Sequence, residues 1–341
     1  MPDSALPWAD AWQRALYGPD GFYRRTAGPA AHFRTGVSAS PLLAGALARL
    51  ARASGLGRVV DVGAGRGELL GQLAVLDPGL ELVGVDVVPR PVGMPAAAGW
   101  LRSPGGAHLP SPDALRDACR SALVVAHEWL DVVPCPVLEV DGAGVLRRVE
   151  VDVRTGAERL GAPAPSTPAD QEWVRRWWPV DGAPPGTRVE LGAPRDRAWA
   201  GLVRSAPDAV LLAVDYAHGR ADRPPEGTLA GFRDGRACPP RPDGSCDVTA
   251  HVALDAVAAA GRAGGATATV LTTQRRALLG LGVDPRRPPV EAAGRDPRGY
   301  LAALQRAGQA AELVDAGGLG GFGWLLQSTG PDLPDLADVG R

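Results

Sequence analysis

The sequence predicts an α/β fold in which a mostly parallel sheet is covered by helices on both faces. Two observations carry this prediction. From Arg58 onward, short apolar runs rich in β-branched residues alternate with helix-like segments, which is the pattern of strand-helix-strand units. In the first unit, the run at residues 58–62 breaks into a glycine-rich turn and then into a helix-like segment at residues 69–74. A strand, a tight glycine turn and a helix N-terminus together form a site for an anionic or ribose-bearing ligand.

A helical extension is predicted ahead of the sheet, over the first 57 residues. An amphipathic helix at residues 5–17 is indicated by large apolar side chains at helical spacing, Trp8, Trp12 and Leu16. A second helix is predicted over residues 41–53, with Ser38 or Ser40 as its N-cap. The extension is therefore expected to pack on the main domain through helices.

The main domain is predicted to span residues 58–330, with a flexible tail at residues 331–341. Its strands are expected at 58–62, 80–86, 99–101, 122–126, 209–215, 267–272 and 322–327. A hairpin is predicted where residues 137–140 and 145–151 flank a turn sequence. Further helices are expected at 193–205, 249–260 and 297–307, and the Gly- and Pro-rich residues 217–247 are expected to form a long loop.

Residues 152–192 are predicted to form an insertion that lies over the site, where substrate specificity often resides. This segment is rich in Pro, Gly, Ala and charged residues, and it contains Trp173, Trp177 and Trp178. Two interpretations of the three tryptophans are open: a binding platform for a substrate, or an apolar cover for the core.

Composition bounds the class of protein. The chain has 341 residues and a net charge of −2, and its 36 basic residues are all Arg. No global basic field indicates binding to nucleic acid or to an anionic membrane. Four cysteines without C-x-x-C spacing favour reduced thiols over a disulfide framework or a metal site. The sequence shows neither a secretory signal pattern nor an apolar run of about 20 residues, so we expect no membrane insertion and a cytoplasmic location.

The glycine turn has the pattern G-x-G-x-G at Gly63, Gly65 and Gly67. A dinucleotide-binding turn has the pattern G-x-G-x-x-G, and its third glycine would fall on Glu68. Glycines at such positions allow the backbone to approach a ligand without an intervening Cβ. The spacing therefore argues against a dinucleotide as the first choice of ligand.

Two acidic residues accompany the glycines. Asp61 lies inside the first strand, and Asp86 ends the second strand, where a carboxylate could accept hydrogen bonds from ribose hydroxyls. An acid ahead of G-x-G-x-G resembles motif I of class I S-adenosylmethionine-dependent methyltransferases, which implies S-adenosylmethionine as the cofactor. A nicotinamide enzyme, whose ribose Asp86 would suit equally well, and an α/β turn without a ligand stay open as alternatives.

Catalytic candidates follow the fourth strand, because ligands of open α/β sheets bind at the carboxyl ends of the strands. This position is occupied by His127, Glu128 and Asp131. If the methyl acceptor is an arginine, whose pKa lies above about 12, a carboxylate pair would hold its guanidinium and polarise one nitrogen. Glu128 and Asp131 could form this pair and His127 could accept a proton. Alternatively, Glu128 caps a helix, Asp131 is exposed and His127 is structural.

Two further polar residues follow later strands. Asp215 ends an apolar strand, and a carboxylate there is costly unless it is paired or faces the cleft. His251 is expected to start the helix at residues 249–260, with a role either in capping or in the cleft. Both are therefore secondary candidates for the site.

Several motifs in the same order resemble those of the methyltransferase family that includes the mitochondrial complex I assembly protein-arginine methyltransferase and its bacterial relatives. The resemblance runs from about residue 17 to about residue 328. The segments that carry it are Tyr17 to Tyr23, His32 to Thr35, Asp61 to Gly67, His127 to Pro134, Asp215 to His218, Gly227 to Leu229 and Asp247 to Val252. The family's Asn before the catalytic-type Glu is His127 here, and the Pro-Glu after its Thr motif is absent. Glu128 and Asp131 are retained.

The resemblance implies a class I, Rossmann-like methyltransferase that acts on a protein, with arginine as the acceptor in the relatives. A small-molecule methyltransferase and a non-catalytic assembly factor that binds S-adenosylmethionine are the alternatives. The expected cofactor residues are Asp61, Gly63, Gly65, Gly67 and Asp86, and the expected catalytic residues are Glu128, Asp131 and His127. No metal and no nucleic acid are expected among the ligands.

Overall fold

A computed structural model describes residues 5–24 and 40–336 of the chain. The helices are α1 (Trp8–Tyr17), α2 (Pro41–Ala53), α3 (Glu68–Leu76), α4 (Pro112–Cys119), α5 (Pro168–Trp177), α6 (Ala193–Arg204), α7 (Leu254–Ala263), α8 (Gln274–Gly280), α9 (Ala292–Arg295) and α10 (Pro297–Leu313). The strands are β1 (Ala5–Pro7), β2 (Arg58–Val62), β3 (Glu81–Asp86), β4 (Gly99–Arg102), β5 (Ala122–His127), β6 (Val137–Val140), β7 (Leu146–Asp152), β8 (Glu158–Pro163), β9 (Arg188–Glu190), β10 (Val210–Asp215), β11 (Ala217–His218), β12 (Ala230–Arg233), β13 (Arg236–Cys238), β14 (Asp247–Thr249), β15 (Val252–Ala253), β16 (Ala268–Thr273) and β17 (Gly323–Ser328).

The central sheet has seven strands in the order β16-β17-β10-β5-β2-β3-β4. The five strands from β10 to β4 are mutually parallel, whereas β17 runs antiparallel to both of its neighbours. β5 and β10 are buried at every position, as expected for central strands covered on both faces. The prediction of a mostly parallel sheet is confirmed.

Both helices predicted for the N-terminal part form, but the first begins only at Trp8, because Ala5–Pro7 forms β1 and pairs with β7. Trp8, Trp12 and Leu16 are buried on one face of α1. Ser40 caps α2, because its Oγ accepts a hydrogen bond of 3.1 Å from the backbone N–H of Leu42. The alternative cap Ser38 and the motif at residues 32–35 lie outside the described residues.

A second sheet, in the order β1-β7-β6-β9 with β8 paired to β7, contains the predicted hairpin and much of the insertion at residues 152–192. Within the insertion, Trp173 and Trp178 are buried in an apolar cluster with Leu138 and Val189. The Nε1–H of Trp173 donates to Asp196 Oδ2 at 2.6 Å. Of the two interpretations, the structure favours an apolar cover for the core for these two tryptophans.

Residues 217–247 are not the long loop that their composition predicts. They contain β12 and β13, which form a three-stranded sheet with β14 in the order β13-β12-β14. The prediction of a helix over residues 249–260 is wrong at its start, since Asp247–Thr249 pairs with β12 and the helix begins only at Leu254. β12 and β13 form a local hairpin whose two-residue turn, Asp234 and Gly235, has positive φ at both positions. An Asp-Gly pair is a local hairpin signal, and the prediction of a long loop did not use it.

The C-terminal end of the chain packs on the main core as far as it is described. Leu333 and Leu336 contact the apolar cluster beneath the sheet, and residues 337–341 lie outside the described residues. Over the described ranges, no helix combines the length and the apolarity needed to cross a membrane.

Candidate active site

A cavity of about 840 Å³ opens at the carboxyl ends of β2, β3, β5 and β10. Its volume falls in the range of about 300–1,000 Å³ that is usual for small-molecule sites. Residues in the last positions of these strands or in the turns after them form one part of its wall, including Asp61, Gly63, Gly65, Asp86, His127, Glu128, Asp131 and Tyr216. The remaining wall includes Tyr17, Tyr23, Arg24, Phe232, Asp247 and Thr249, which come from the N-terminal segment and the three-stranded sheet. The cavity therefore brings together the predicted catalytic residues and all predicted cofactor residues except Gly67, which does not line it.

The glycine turn uses left-handed backbone at all three glycines. The φ angles are 80° at Gly63, 55° at Gly65 and 77° at Gly67, which is the N-cap residue of α3. A Cβ at Gly67 would clash with Sδ of Met94. A Cβ at Gly65 would meet only Glu68 Oε2, at 3.9 Å, so that Gly65 leaves open space beside the cavity. The turn thus requires glycine for conformation at Gly63, Gly65 and Gly67, and for close packing at Gly67.

Asp86 links the glycine turn to the loop that follows β3, because its carboxylate accepts hydrogen bonds from both. Its Oδ2 accepts a hydrogen bond of 2.8 Å from the N–H of Gly65, and its Oδ1 accepts one of 2.9 Å from the N–H of Val88. Burial raises the pKa of Asp86, while these backbone donors act in the opposite direction. Each carboxylate oxygen retains a further lone pair for a hydroxyl donor from a ligand.

Asp61 is a buried carboxyl on the cavity wall, 5% exposed. Burial raises its pKa to about 8, and the negative charges of Asp86 and Glu68 act in the same direction. A cation bound beside Asp61 would favour its ionised form. This part of the cavity is therefore suited to a positively charged group.

The turn after β5 presents Glu128 to the cavity. Glu128 has a φ of 52°, and its N–H donates to the carbonyl of Val214 at 2.8 Å. A left-handed conformation at a residue other than glycine costs about 1–3 kcal/mol and occurs often at functional sites. Because the N–H is bonded to β10, Glu128 belongs to a turn fixed by the sheet and does not cap a helix.

His127 lies beside Glu128, with 3.3 Å between His127 Nδ1 and Glu128 Oε1. Burial lowers the pKa of His127 to about 4, so the imidazole is neutral at pH 7. Among the described residues, His127 Nε2 has no hydrogen-bond partner, and the side chain lines the cavity. His127 is thus a neutral polar group at the site and a weak base.

Asp131 and Asp215 form a buried carboxyl pair. The expectation that Asp131 could be exposed is wrong, since it is 3% exposed and lines the cavity. Asp215 is fully buried below it and does not line the cavity; its two oxygens accept from the N–H groups of Leu130 and Asp131, each at 3.2 Å. Burial raises the pKa of both carboxyls, and the charge of Asp131 raises that of Asp215 further. Asp215 therefore supports the turn that carries Asp131.

Arg195 on α6 ties this turn to the rest of the site. It is 1% exposed, and its guanidinium donates to the carbonyls of Val133 at 3.0 Å, His251 at 2.8 Å and Asp131 at 2.9 Å. The ring of Trp12 lies 5.6 Å from its Cζ. No motif marks Arg195 in the sequence, where it is one of many arginines.

His251 does not start a helix, contrary to the expectation, because it lies between β14 and β15. Its ring stacks on Tyr216 with 5.4 Å between centroids and 16° between planes. Tyr216 in turn contacts Phe322 at a centroid distance of 4.1 Å and lines the cavity. His251 thus supports an aromatic wall residue and is not itself part of the wall.

The insertion at residues 152–192, which is described throughout, contributes no residue to the cavity wall. The prediction that it lies over the site is therefore wrong for the cavity itself. The insertion instead contacts residues outside the cavity wall. Glu190 accepts hydrogen bonds from Thr228 Oγ1 at 2.6 Å and from Leu229 N–H at 2.7 Å. Thr228 Oγ1 accepts a further bond of 2.8 Å from the N–H of His251.

Comparison with known proteins gives a family match over part of the chain. The model of a family described as "Putative S-adenosyl-L-methionine-dependent methyltransferase" matches residues 107–272, which contain Glu128, Asp131 and Asp247. No curated protein matches the chain. The family match supports S-adenosylmethionine as the cofactor and methyl transfer as the class of reaction.

Two solved structures share the fold over nearly the whole chain. One is a protein of Burkholderia thailandensis bound to S-adenosyl-homocysteine, with 24% identity and a TM-score of 0.76. The other is a native structure of an uncharacterized protein of the same superfamily and organism, with 25% identity and a TM-score of 0.74. In both comparisons the alignment covers 98% of this chain and 90% of the other. The glycine turn lies outside the family match, so the case for its role comes from its own geometry.

Proposed function

We propose that this chain is a class I S-adenosylmethionine-dependent methyltransferase that methylates a protein, at the guanidinium of an arginine. One observation carries the proposal: Glu128 and the buried Asp131 line the same cavity as the glycine turn and Asp61. The parallel strand order from β4 to β10 also agrees with a Rossmann-like sheet, in which ligands bind at the carboxyl ends of the strands.

The cofactor fits the residues on its side of the cavity. S-adenosylmethionine supplies a methyl group on a positively charged sulfonium centre and also carries an ammonium group. Asp61, a buried carboxyl whose pKa is raised to about 8 by burial and by acidic neighbours, would be stabilised by a positive charge of this kind. The open space beside Gly65 would admit the ligand, and Asp86 has lone pairs free for ribose hydroxyls. The S-adenosyl-homocysteine bound to the Burkholderia protein of the same fold supports this choice.

On the acceptor side, Glu128 and Asp131 would hold the guanidinium by charge-assisted hydrogen bonds, aligning one nitrogen with the methyl group. S-adenosylmethionine would supply the methyl group with cleavage of its bond to sulfur and leave as S-adenosyl-homocysteine, and the Glu128 carboxylate would accept the proton that the acceptor nitrogen loses. Neutral His127, 3.3 Å away, would orient Glu128 through Nδ1. Tyr216, held by His251 and Phe322, offers an aromatic face on which a planar guanidinium can stack.

The proposal is tested in two stages with the purified chain. Calorimetry first measures binding of S-adenosylmethionine and S-adenosyl-homocysteine, and binding of neither would overturn the enzymatic proposal. The chain is then incubated with host extract and S-adenosylmethionine labelled at the methyl group. We expect label in protein that yields methylarginine after hydrolysis, and loss of label with Glu128→Gln but not with the exposed control Glu226→Gln. Label found only in low-mass material would overturn the protein acceptor.

A further inference from the structure

One part of the cavity wall comes from the N-terminal segment and the three-stranded sheet and includes Tyr23, Phe232, Asp247 and Thr249. Asp247 and Thr249 belong to β14, which pairs antiparallel with β12 so that Asp247 lies opposite Phe232. Asp247 is 6% exposed. Neither the family match nor the proposed mechanism gives this wall a role.

We propose that Asp247, positioned by Tyr23, binds the cationic side chain of the methyl acceptor, on the same side of the cavity as Asp131. This inference rests on the proposed function and names a further acceptor-binding residue for it. The ligand class is a planar cation with several N–H donors, of which the arginine guanidinium is the protein example.

The first argument is the geometry of Asp247. The hydroxyl of Tyr23 lies 2.8 Å from its Oδ1 and 2.9 Å from its Oδ2, so a single donor bridges the carboxylate symmetrically. The Tyr23 ring is held in turn by Tyr17 and Phe22, each with a centroid distance of 5.5 Å. The Tyr23 hydroxyl and the backbone N–H of Val248 together leave lone pairs on the carboxylate of Asp247 for a further donor, since an ionised carboxylate offers about four acceptor positions.

The second argument is the absence of a compensating cation among the groups that act on Asp247 most strongly. Those groups are the Tyr23 hydroxyl, the carboxylate of Asp131 and the backbone N–H of Val248. Burial and the charge of Asp131 raise the pKa of Asp247 to about 8, against the hydrogen bonds from Tyr23 and Val248. Asp131, by contrast, is acted on by the Arg195 cation and by Asp215. A buried carboxylate is costly unless it is paired, so Asp247 on the cavity wall favours a cationic ligand.

Asp247 and Asp61 have different acidic neighbours. Burial and the charges of Asp86 and Glu68 raise the pKa of Asp61, whereas burial and the charge of Asp131 raise that of Asp247. A cation bound at Asp247 would therefore also interact with Asp131, which the proposed function assigns to the acceptor.

The test uses the chain loaded with S-adenosyl-homocysteine and two small probes, acetyl-arginine amide and its neutral urea analogue acetyl-citrulline amide. Binding is measured by calorimetry or by saturation-transfer NMR for the wild type, Asp247→Asn and the control Asp181→Asn, which makes the same chemical change in an exposed turn. We expect the arginine probe to bind at least tenfold more tightly than the citrulline probe, and Asp247→Asn to lose this preference. Thermal unfolding and S-adenosyl-homocysteine binding check that Asp247→Asn is folded. Tyr23→Phe retains the carboxylate of Asp247, so it should weaken arginine binding less than Asp247→Asn does.

The outcomes separate the two levels of the proposal. If Asp247→Asn binds S-adenosyl-homocysteine and retains the wild-type preference for arginine, the role of Asp247 is overturned while the proposed function stands. If Asp247→Asn or Tyr23→Phe loses S-adenosyl-homocysteine but keeps the arginine preference, the residues belong to the cofactor side and the inference is also overturned. If the wild type does not bind S-adenosyl-homocysteine, the proposed function itself fails.

Discussion

Replacing Gly65 with alanine should abolish most of the affinity for the cofactor at a small cost in stability. Gly65 has a φ of 55°, and an L-residue in this region costs about 1 kcal/mol relative to glycine. The added Cβ meets no protein atom closer than 3.9 Å, so no steric clash adds to this cost. A Cβ that occupies ligand space acts like overpacking, which costs about 1–3 kcal/mol and corresponds to a loss of roughly 5- to 150-fold in affinity.

Gly55 provides a matched control for this substitution. It has a φ of 69°, an added Cβ would have no other atom within 4 Å, and the residue lies at the end of α2 outside the cavity wall. Gly55→Ala and Gly65→Ala should therefore lower the stability by the same amount, about 1 kcal/mol or roughly 2 °C in Tm. Only Gly65→Ala should weaken binding of S-adenosyl-homocysteine in calorimetry. Wild-type affinity in Gly65→Ala would refute the argument that the glycine exists to admit the cofactor.

Three further substitutions test the site. Glu128→Gln should lower the rate of methyl transfer, measured by single-turnover labelling, by about 100-fold or more. It should leave the affinity for S-adenosyl-homocysteine within about twofold. An equal loss of cofactor affinity would contradict the assignment of Glu128 to the acceptor. The raised pKa of Asp61 means that the native state keeps a proton that the unfolded chain releases, so its contribution lowers stability as pH rises from 3.8 to about 8. Asp61→Asn should therefore gain stability over the wild type between pH 5 and pH 8 in urea unfolding without cofactor, and a loss would reverse the sign of the argument. Arg195→Met leaves three buried carbonyls without their donor and should cost about 3 kcal/mol or more, whereas Arg197→Met, exposed on the same helix, should stay within about 0.5 kcal/mol.

The sheet could be predicted from the sequence because its strands are buried on both faces. Apolar runs such as residues 122–126 and 209–215 have no other stable environment than the centre of a covered sheet. The three-stranded sheet around β12 could not be predicted in this way, since its strands are short and β12 and β13 are partly exposed. The Asp234-Gly235 turn does signal the β12–β13 hairpin, but the pairing of β12 with β14, such as Phe232 opposite Asp247, is not encoded in any local pattern.

The same division holds for the site. Residues that directly follow parallel strands, such as Asp86 and Glu128, could be identified because the topology brings all such positions to one edge. Tyr23 and Asp247 are 224 positions apart in the sequence, so no local pattern relates them. Arg195 lies on helix α6 and contacts the site only through hydrogen bonds to backbone carbonyls such as that of Asp131. The motif Asp247 to Val252 is visible in the sequence, but its position on a strand depends on pairing with β12.

The acids of the cavity have a common electrostatic consequence. Asp61 and Asp247 each have a pKa raised to about 8, in both cases chiefly by burial, and each lies near at least one other carboxylate. In the ligand-free protein these groups either hold a proton or carry a costly buried charge. The two ligands that we propose are both cations, and each would stabilise the ionised form of a different acid. Binding of the cofactor and of the acceptor should therefore each release protons near pH 7. Each ligand should also raise the unfolding temperature, by an amount that grows with the logarithm of the ratio of free ligand concentration to Kd. Calorimetry in buffers of different ionisation enthalpy measures this proton release. If Asp61→Asn abolishes the release on cofactor binding but not the release on acceptor binding, the proton released by the cofactor comes from Asp61.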